Sequence, residues 1–398
     1  MHQLEVVVVS DESVLVHHTS AWSDLLARSA SDRPTLTSFW MLTWWRLFGQ
    51  REGRQLVVLL VFDGERMVGL APLSRRVRWH RRAVPFRRIE LLATGEREAD
   101  EIGSDYVGLI AERGYEQAVA EAVAKAIDRG EAGAWDEIVM TAMDGEVPTG
   151  RLLGTALAAR GATLEESSTV PSPYIQLPAR WEDYLAGLPR SGRYLVNRSL
   201  RDFDKWAGAD ATLERVSQAA DIAEGQRILV LLHEQRWKAA GRDGVFASQV
   251  FSDFHAAVLP ELFTRGALEL AWLKVRGQPV AVVYNIVWNN KVLFYQGGRS
   301  LDVPKGVRPG IVLHARMIQA AIAAGRSEYD FLPGTSQYKL QLATASHPIV
   351  AFRATRAPMR EGVRRVLEHG VSFLREQRKL WRQTSPQGPA RLTEEGND

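Results

Sequence analysis

Two glycine-bearing stretches late in the chain hold the residues best suited to chemistry. Tyr295-Gln296-Gly297-Gly298-Arg299-Ser300 and Lys305-Gly306-Val307-Arg308-Pro309-Gly310 lead into a helix that apolar spacing predicts over residues 311–324. A helix N-terminus offers unpaired amide hydrogens and the positive end of the helix dipole, and glycines let a diphosphate come close to the backbone. The candidate cradle is therefore Gly297, Gly298, Arg299, Lys305, Gly306, Val307, Arg308 and Gly310, with Lys305 and Arg308 adding charge. An ordinary glycine-rich connector would read the same way. Neither a Walker lysine motif nor GxGxxG is present, so nucleotide hydrolysis and nicotinamide chemistry are unsupported.

A second cluster, His233-Glu234-Gln235-Arg236-Trp237, falls in a helical run at 226–239. It lacks the second histidine four residues on that a zinc signature requires, and no metal site is expected. His233 and Trp237 share a helix face with Arg236 beside them. Either that face lines a cleft where Arg236 holds an acceptor phosphate or carboxylate, or it docks the helix by packing. Arg198, Arg201 and Lys205 form another one-sided group, and Arg75, Arg76, Arg78, Arg81, Arg82, Arg87 and Arg88 surround Trp79 and Phe86. Such patches suit a sugar nucleotide, a lipid-linked phosphate or an anionic membrane surface. An exposed hairpin is the simpler account of the arginine run.

The elements that would position these residues repeat. Apolar runs at 56–62 and 67–73 flank Asp63-Gly64, and runs at 268–275 and 280–287 flank Arg276-Gly277-Gln278-Pro279, giving two hairpins. Strand, helix and strand follow each: 105–111, 115–128 and 135–143 in the first half, then 291–297, 311–324 and 328–332 in the second. The first half has only Glu112-Arg113-Gly114-Tyr115 before its helix, a degenerate cradle. Pro171, Pro173 and Pro178 make 170–178 an extended connector. The expected fold is α/β, two tandem units of mixed, mostly antiparallel sheet flanked by helices. The expected division is 1–170 on the acceptor side, 171–357 on the donor side, and 358–398 as an amphipathic helix with a disordered tail.

The 398 residues carry 50 Lys and Arg against 47 Asp and Glu, a net charge of +3, so a polyanion-driven binder is excluded and no DNA partner is expected. No cysteine is present, which removes disulfides, thiolate nucleophiles and Cys-ligated metals. The short apolar run at 6–9 is followed by Asp11 and Glu12, which predicts no signal peptide, and no run approaches the ~20 residues of a membrane span. A cytoplasmic protein is expected, with the arginine-rich patches as a route to peripheral contact with the inner membrane face.

The order of these pieces resembles the tandem branch of the GNAT-like acyltransferases, the BioF2-like or CelD-like acetyltransferase domain related to FemAB peptidoglycan aminoacyl transferases. The matching residues are Trp40 to Trp45, Gly69-Leu70-Ala71-Pro72-Leu73, Ser104-Asp105-Tyr106, Ser172-Pro173-Tyr174, Arg190 to Arg201, His233 to Trp237, Pro309-Gly310, Tyr329-Asp330-Phe331 and Tyr338-Lys339. The resemblance covers most of 35–355 and departs from the usual Gln/Arg-x-x-Gly-x-Gly/Ala loop. It implies transfer of an acyl group from acetyl-CoA or another acyl-CoA to an amine or hydroxyl of a cell-envelope, exopolysaccharide or sugar-linked acceptor. Direct transfer needs a base and an oxyanion stabiliser but no covalent intermediate, so a chain without cysteine can perform it. By the same resemblance Asp105 is the base, Lys339 stabilises the oxyanion, Tyr338 protonates the leaving thiolate, and Asp330 completes the catalytic group. His233, Arg236, Trp237, Arg198 and Arg201 are the acceptor-side candidates. A Fem-like aminoacyl-tRNA-dependent transferase and a catalytically silent scaffold of a polysaccharide-synthesis complex are the alternatives.

Overall fold

The computed structural model describes residues 4–366 apart from 50, 240 and 242. The first half runs β1 (Glu5–Val9), α1 (Glu12–His17), α2 (Thr19–Arg28), α3 (Ser38–Trp44), β2 (Gln55–Asp63), β3 (Arg66–His80), β4 (Val84–Leu91), β5 (Ile110–Ala111), α4 (Glu116–Asp128), β6 (Glu137–Asp144), α5 (Thr149–Ala158) and β7 (Thr163–Ser168). The second continues with β8 (Ser172–Gln176), α6 (Trp181–Gly187), α7 (Arg190–Ala207), β9 (Ala211–Arg215), α8 (Asp221–Ala239), α9 (Gln249–Thr264), β10 (Leu268–Val275), β11 (Gln278–Trp288) and β12 (Lys291–Arg299). It closes with α10 (Pro309–Ala323), β13 (Glu328–Asp330), α11 (Gln337–Leu342), β14 (Ala345–His347) and β15 (Ile349–Thr355). Helical residues at 358–366 follow. The rest of the expected amphipathic helix and tail lies outside the described residues.

The apolar runs make β2 and β3 buried strands covered by α4, whose Val119, Val123 and Ile127 recur at helical spacing on its buried side. The first sheet has the order β1-β2-β3-β4-β6-β15-β7, with β5 on β3, and the second the order β14-β8-β13-β12-β11-β10-β9. Pairing is antiparallel except between β4 and β6 and between β12 and β13. Those two parallel pairs are equivalent places in the duplicated plan.

Three expectations change. The arginine run is the β3–β4 hairpin, with Arg76 and Arg88 turned inward onto Glu52, Glu90 and Glu137. Residues 105–111 are a turn followed by short pairings rather than a strand, because Tyr106 adopts a left-handed backbone (φ 61°) that no strand accommodates. The 171–357 segment does not stay in one sheet: β15 crosses back and pairs with β6 and β7 of the first. The halves also share a core, where Trp40 of α3 meets Phe254 of α9 edge-on at 4.9 Å and Tyr295 of β12 at 5.8 Å.

Candidate active site

The two parallel pairs end differently. β12 extends to Arg299 but pairs with β13 only from Lys291 to Leu293, so the edge beyond Leu293 has no strand partner on that side among the described residues. In the first unit β4 pairs with β6 over residues 88–90, and the chain itself fills the space beyond. Val107 bridges Met143, and its amide donates to the Ala142 carbonyl at 3.1 Å. Helix ends differ in the same sense. At α4 the Gly114 amide is taken by Glu116 at 2.8 Å, and Glu112 binds Arg28 and Arg66. At α10 Arg308 is the N-cap with no side-chain cap, Pro309 begins the helix, and the amides of Lys305, Gly306 and Gly310 find no acceptor among the described residues. Gly306 sits at φ 97° with open space where a Cβ would be.

Asp105, Tyr106, Tyr295 and Leu332 meet in a narrow cleft between the units, walled also by Arg33 and Thr35. Asp105 is fixed by its backbone, which accepts from the Thr35 hydroxyl at 2.8 Å, while its carboxylate has no hydrogen-bond partner among the described residues. Burial, with help from the Asp330 charge, lifts this carboxyl to about 8. Lys339 of α11 approaches from the second unit. Its Nζ donates to the carbonyls of Leu332 and Pro333 at 3.2 and 3.3 Å, and burial lowers it to about 8 against the pull of Asp105 and Asp330. Leu332 makes this possible: at φ 57° it turns its carbonyl to Lys339 and its amide to Asp330 at 2.8 Å. Left-handed non-glycine residues on both walls, Tyr106 and Leu332, are strain of the kind that gathers at functional sites. Tyr338 stacks on His314 at 5.5 Å, and burial lifts its hydroxyl to about 12.

Asp330 does not reach the cleft. It is 0% exposed and accepts from Ser172 at 2.7 Å and from Tyr106 across the seam at 2.5 Å, besides the Leu332 amide. This expected catalytic carboxylate is a clamp between units. Beside it Glu328, Asp330 and His347 bring ligating atoms within 4.8 Å of one another. These atoms already have partners: Lys291 and His347 on Glu328 at 2.9 and 3.0 Å, and Glu146 3.1 Å from the other His347 nitrogen without hydrogen-bond geometry. Burial opposes the His347 charge, but Glu328 and Glu146 outweigh it and raise its pKa. Arg33 completes the seam, over the Tyr106 ring at 4.5 Å and on Asp144 at 2.7 Å.

The other nominated residues separate. Arg236 lies over the Trp237 ring at 5.4 Å, and after burial its charge is what lowers Arg299; it also acts on Lys339 and Tyr338. Arg236, Arg299, Lys305 and Arg308 have no carboxylate partner among the described residues. His233 is a packing residue instead, 1% exposed, accepting from Trp237 at 2.9 Å, with burial lowering it to about 4. Gly297 and Gly298 belong to β12, and a Cβ on Gly298 would lie 2.5 Å from the His233 amide nitrogen, so this glycine admits α8 rather than a ligand. Arg198 and Arg201 both pair with Asp202 on the outer face of α7. Arg33, Tyr106, Leu332 and the Glu328–His347 pair were not among the sequence candidates. Their only local signal is Tyr106 and Tyr329-Asp330 within the matching order; the pairing across the seam is nonlocal.

Residues 190–340, which include β12, α10 and Lys339, match the family model described as an acetyltransferase (GNAT) domain. The second half of the chain is thus similar to a GNAT-type domain. FemX superimposes with a TM-score of 0.59 at 11% identity, covering 90% of this chain and 100% of its own. The C-terminal domain of a putative lysylphosphatidylglycerol synthetase from Agrobacterium fabrum gives 0.50 at 11% identity, over 87% and 94%. At such identity the likeness concerns the fold. No curated protein matches the sequence.

Proposed function

We propose that the chain is an acyl-CoA-dependent acyltransferase acting on an amine or hydroxyl, with one donor site, in the second unit. The observation that carries this reading is the asymmetry of the two parallel pairs: one open beside unpaired amides and free cations, the other plugged by Val107. The donor's diphosphate would lie at Lys305, Gly306, Arg308 and Gly310, with Arg299 and Arg236 toward the acyl end. The acceptor nitrogen attacks the thioester carbonyl, forming a C–N bond as the C–S bond breaks. Asp105 takes the proton the acceptor loses, Lys339 faces the developing oxyanion, and Tyr338 returns a proton to the leaving thiolate. The envelope, exopolysaccharide or sugar-linked acceptor is carried over from the family resemblance.

Thermal melts with acetyl-CoA, longer acyl-CoAs or charged tRNA test the donor. A ligand at a hundredfold excess over its dissociation constant adds about 2.7 kcal/mol of stability. An acyl-CoA should raise the melting temperature, and Lys305→Ala with Arg308→Ala should cancel the rise without lowering the unliganded melt. A response to charged tRNA alone would transfer the assignment to an aminoacyl-tRNA-dependent enzyme, and silence with every donor would favour a scaffold.

A further inference from the structure

The tip of the β3–β4 hairpin is built against its own conformational preference. Arg81 and Arg82 both occupy the left-handed region, at φ 50° and 59°, closing a turn in which the Ala83 amide meets the His80 carbonyl at 3.0 Å. Such a turn favours Asn and Gly at its two central positions, because side chains with a Cβ are strained there. Two arginines are held in that place, and with Arg78 they are exposed without an acidic partner among the described residues. Nearby acids are already engaged: Asp136 by Arg87 and Arg360, and Glu137 by Arg88 and Arg353.

Apolar surface accompanies this charge. Val77 and Trp79 alternate onto one strand face, and Trp79 is 56% exposed. Trp79 pairs with Pro85, whose carbonyl accepts from Arg360 at 3.3 Å, so the helical residues 358–366 lie alongside. Met359, Val363 and Val366 share one side of that helix and are exposed, Met359 at 86%, while Glu361 turns inward to Arg353 at 2.9 Å. In sequence the chain continues past the described residues with Leu367, Val371, Phe373, Leu374 and Leu380 among further basic residues.

We propose that the β3–β4 tip and the helix at 358–366 form a docking surface for the headgroup layer of an anionic lipid bilayer. Arginines meet lipid phosphates, Trp79 sits at the boundary its ring and indole N–H prefer, and the Met359 stripe enters the acyl region. Charge complementarity favours this occupant over a second copy of the same arginine-rich tip. The aliphatic stripe favours it over RNA, which would leave Met359 and Val363 in water.

Co-sedimentation of the full chain with phosphatidylcholine vesicles, with and without phosphatidylglycerol, tests this inference. The protein should pellet only with the anionic vesicles, release as salt rises, and show new amide protection over 77–83 when bound. Arg81→Asn with Arg82→Gly relaxes the turn while removing its charge, so the melt should hold or rise while vesicle affinity falls at least about tenfold. Trp79→Ser should weaken binding further. Unchanged binding by the variants, no binding, or binding equal on neutral vesicles overturns the proposal. So does retention by bulk tRNA in place of vesicles. Protection over 77–83 that does not rise above the hairpin's own when anionic vesicles are added also overturns it.

Discussion

Burial holds the Asp105 carboxyl at about 8 while lowering the Lys339 ammonium to about 8, so both titrate where the enzyme would work. If Asp105 must be ionised and Lys339 charged, the transfer rate should climb about tenfold per pH unit toward 8 and decline above it, a narrow bell in kcat/KM. Stability follows its own sign. The folded value of Asp105 lies above the unfolded value of about 3.9, so the folded state binds its proton more tightly and stability falls as pH rises from about 4 to 8. Lys339 has the opposite displacement: below about 8 it opposes folding, and that opposition fades toward the unfolded value of about 10.4. Asp105→Asn should therefore lower transfer by about a hundredfold or more while raising the melting temperature at alkaline pH, a combination read by assay and melt together. Tyr106→Phe removes one of three donors to Asp330 and should cost about 1 kcal/mol in denaturant unfolding.

Among elements, α8 against β12 decides what the glycines mean. Gly298→Ala would press a methyl into the backbone of Leu232 and His233 and should destabilise by about 1–3 kcal/mol, whereas Gly306→Ala meets open space but a left-handed backbone. If Gly298→Ala instead spared stability and only weakened donor binding, the glycine would belong to the cradle. The hairpins, the Asp63-Gly64 turn and α10 were legible in sequence because their signals are local: alternation, turn dipeptides, and Pro309 at a helix start. The inward turn of Arg76 on β3 and Arg88 on β4 was not, since this hairpin's charges read as a solvated surface until Glu52, Glu90 and Glu137 pair with them. Asp105 and Lys339 were each nominated only through family resemblance, for no local pattern shows that a turn at 105 and a short helix at 337 come near enough for their charges to act on each other.

Across the whole molecule, the units are joined by a shared core and by the seam of Arg33, Tyr106, Asp330 and His347. A calorimetric scan should show one transition instead of two, and Trp40→Ala, which opens space against Phe254 and Tyr295, should cost about 3–5 kcal/mol. The His347 contribution to the seam is full below its unfolded value near 6.5 and is lost as pH rises through its raised folded value. His347→Gln should flatten that part of the stability profile. The sheet between β6 and β7 is closed only by β15, a segment that follows the entire second unit in the sequence. On the ribosome, the opening half of the polypeptide must therefore wait with a missing strand until almost all of its sequence has been synthesised. A gene fragment ending near codon 170 would yield a product with two unsatisfied edges, inclined to aggregate, and co-expressing the remainder should rescue its solubility.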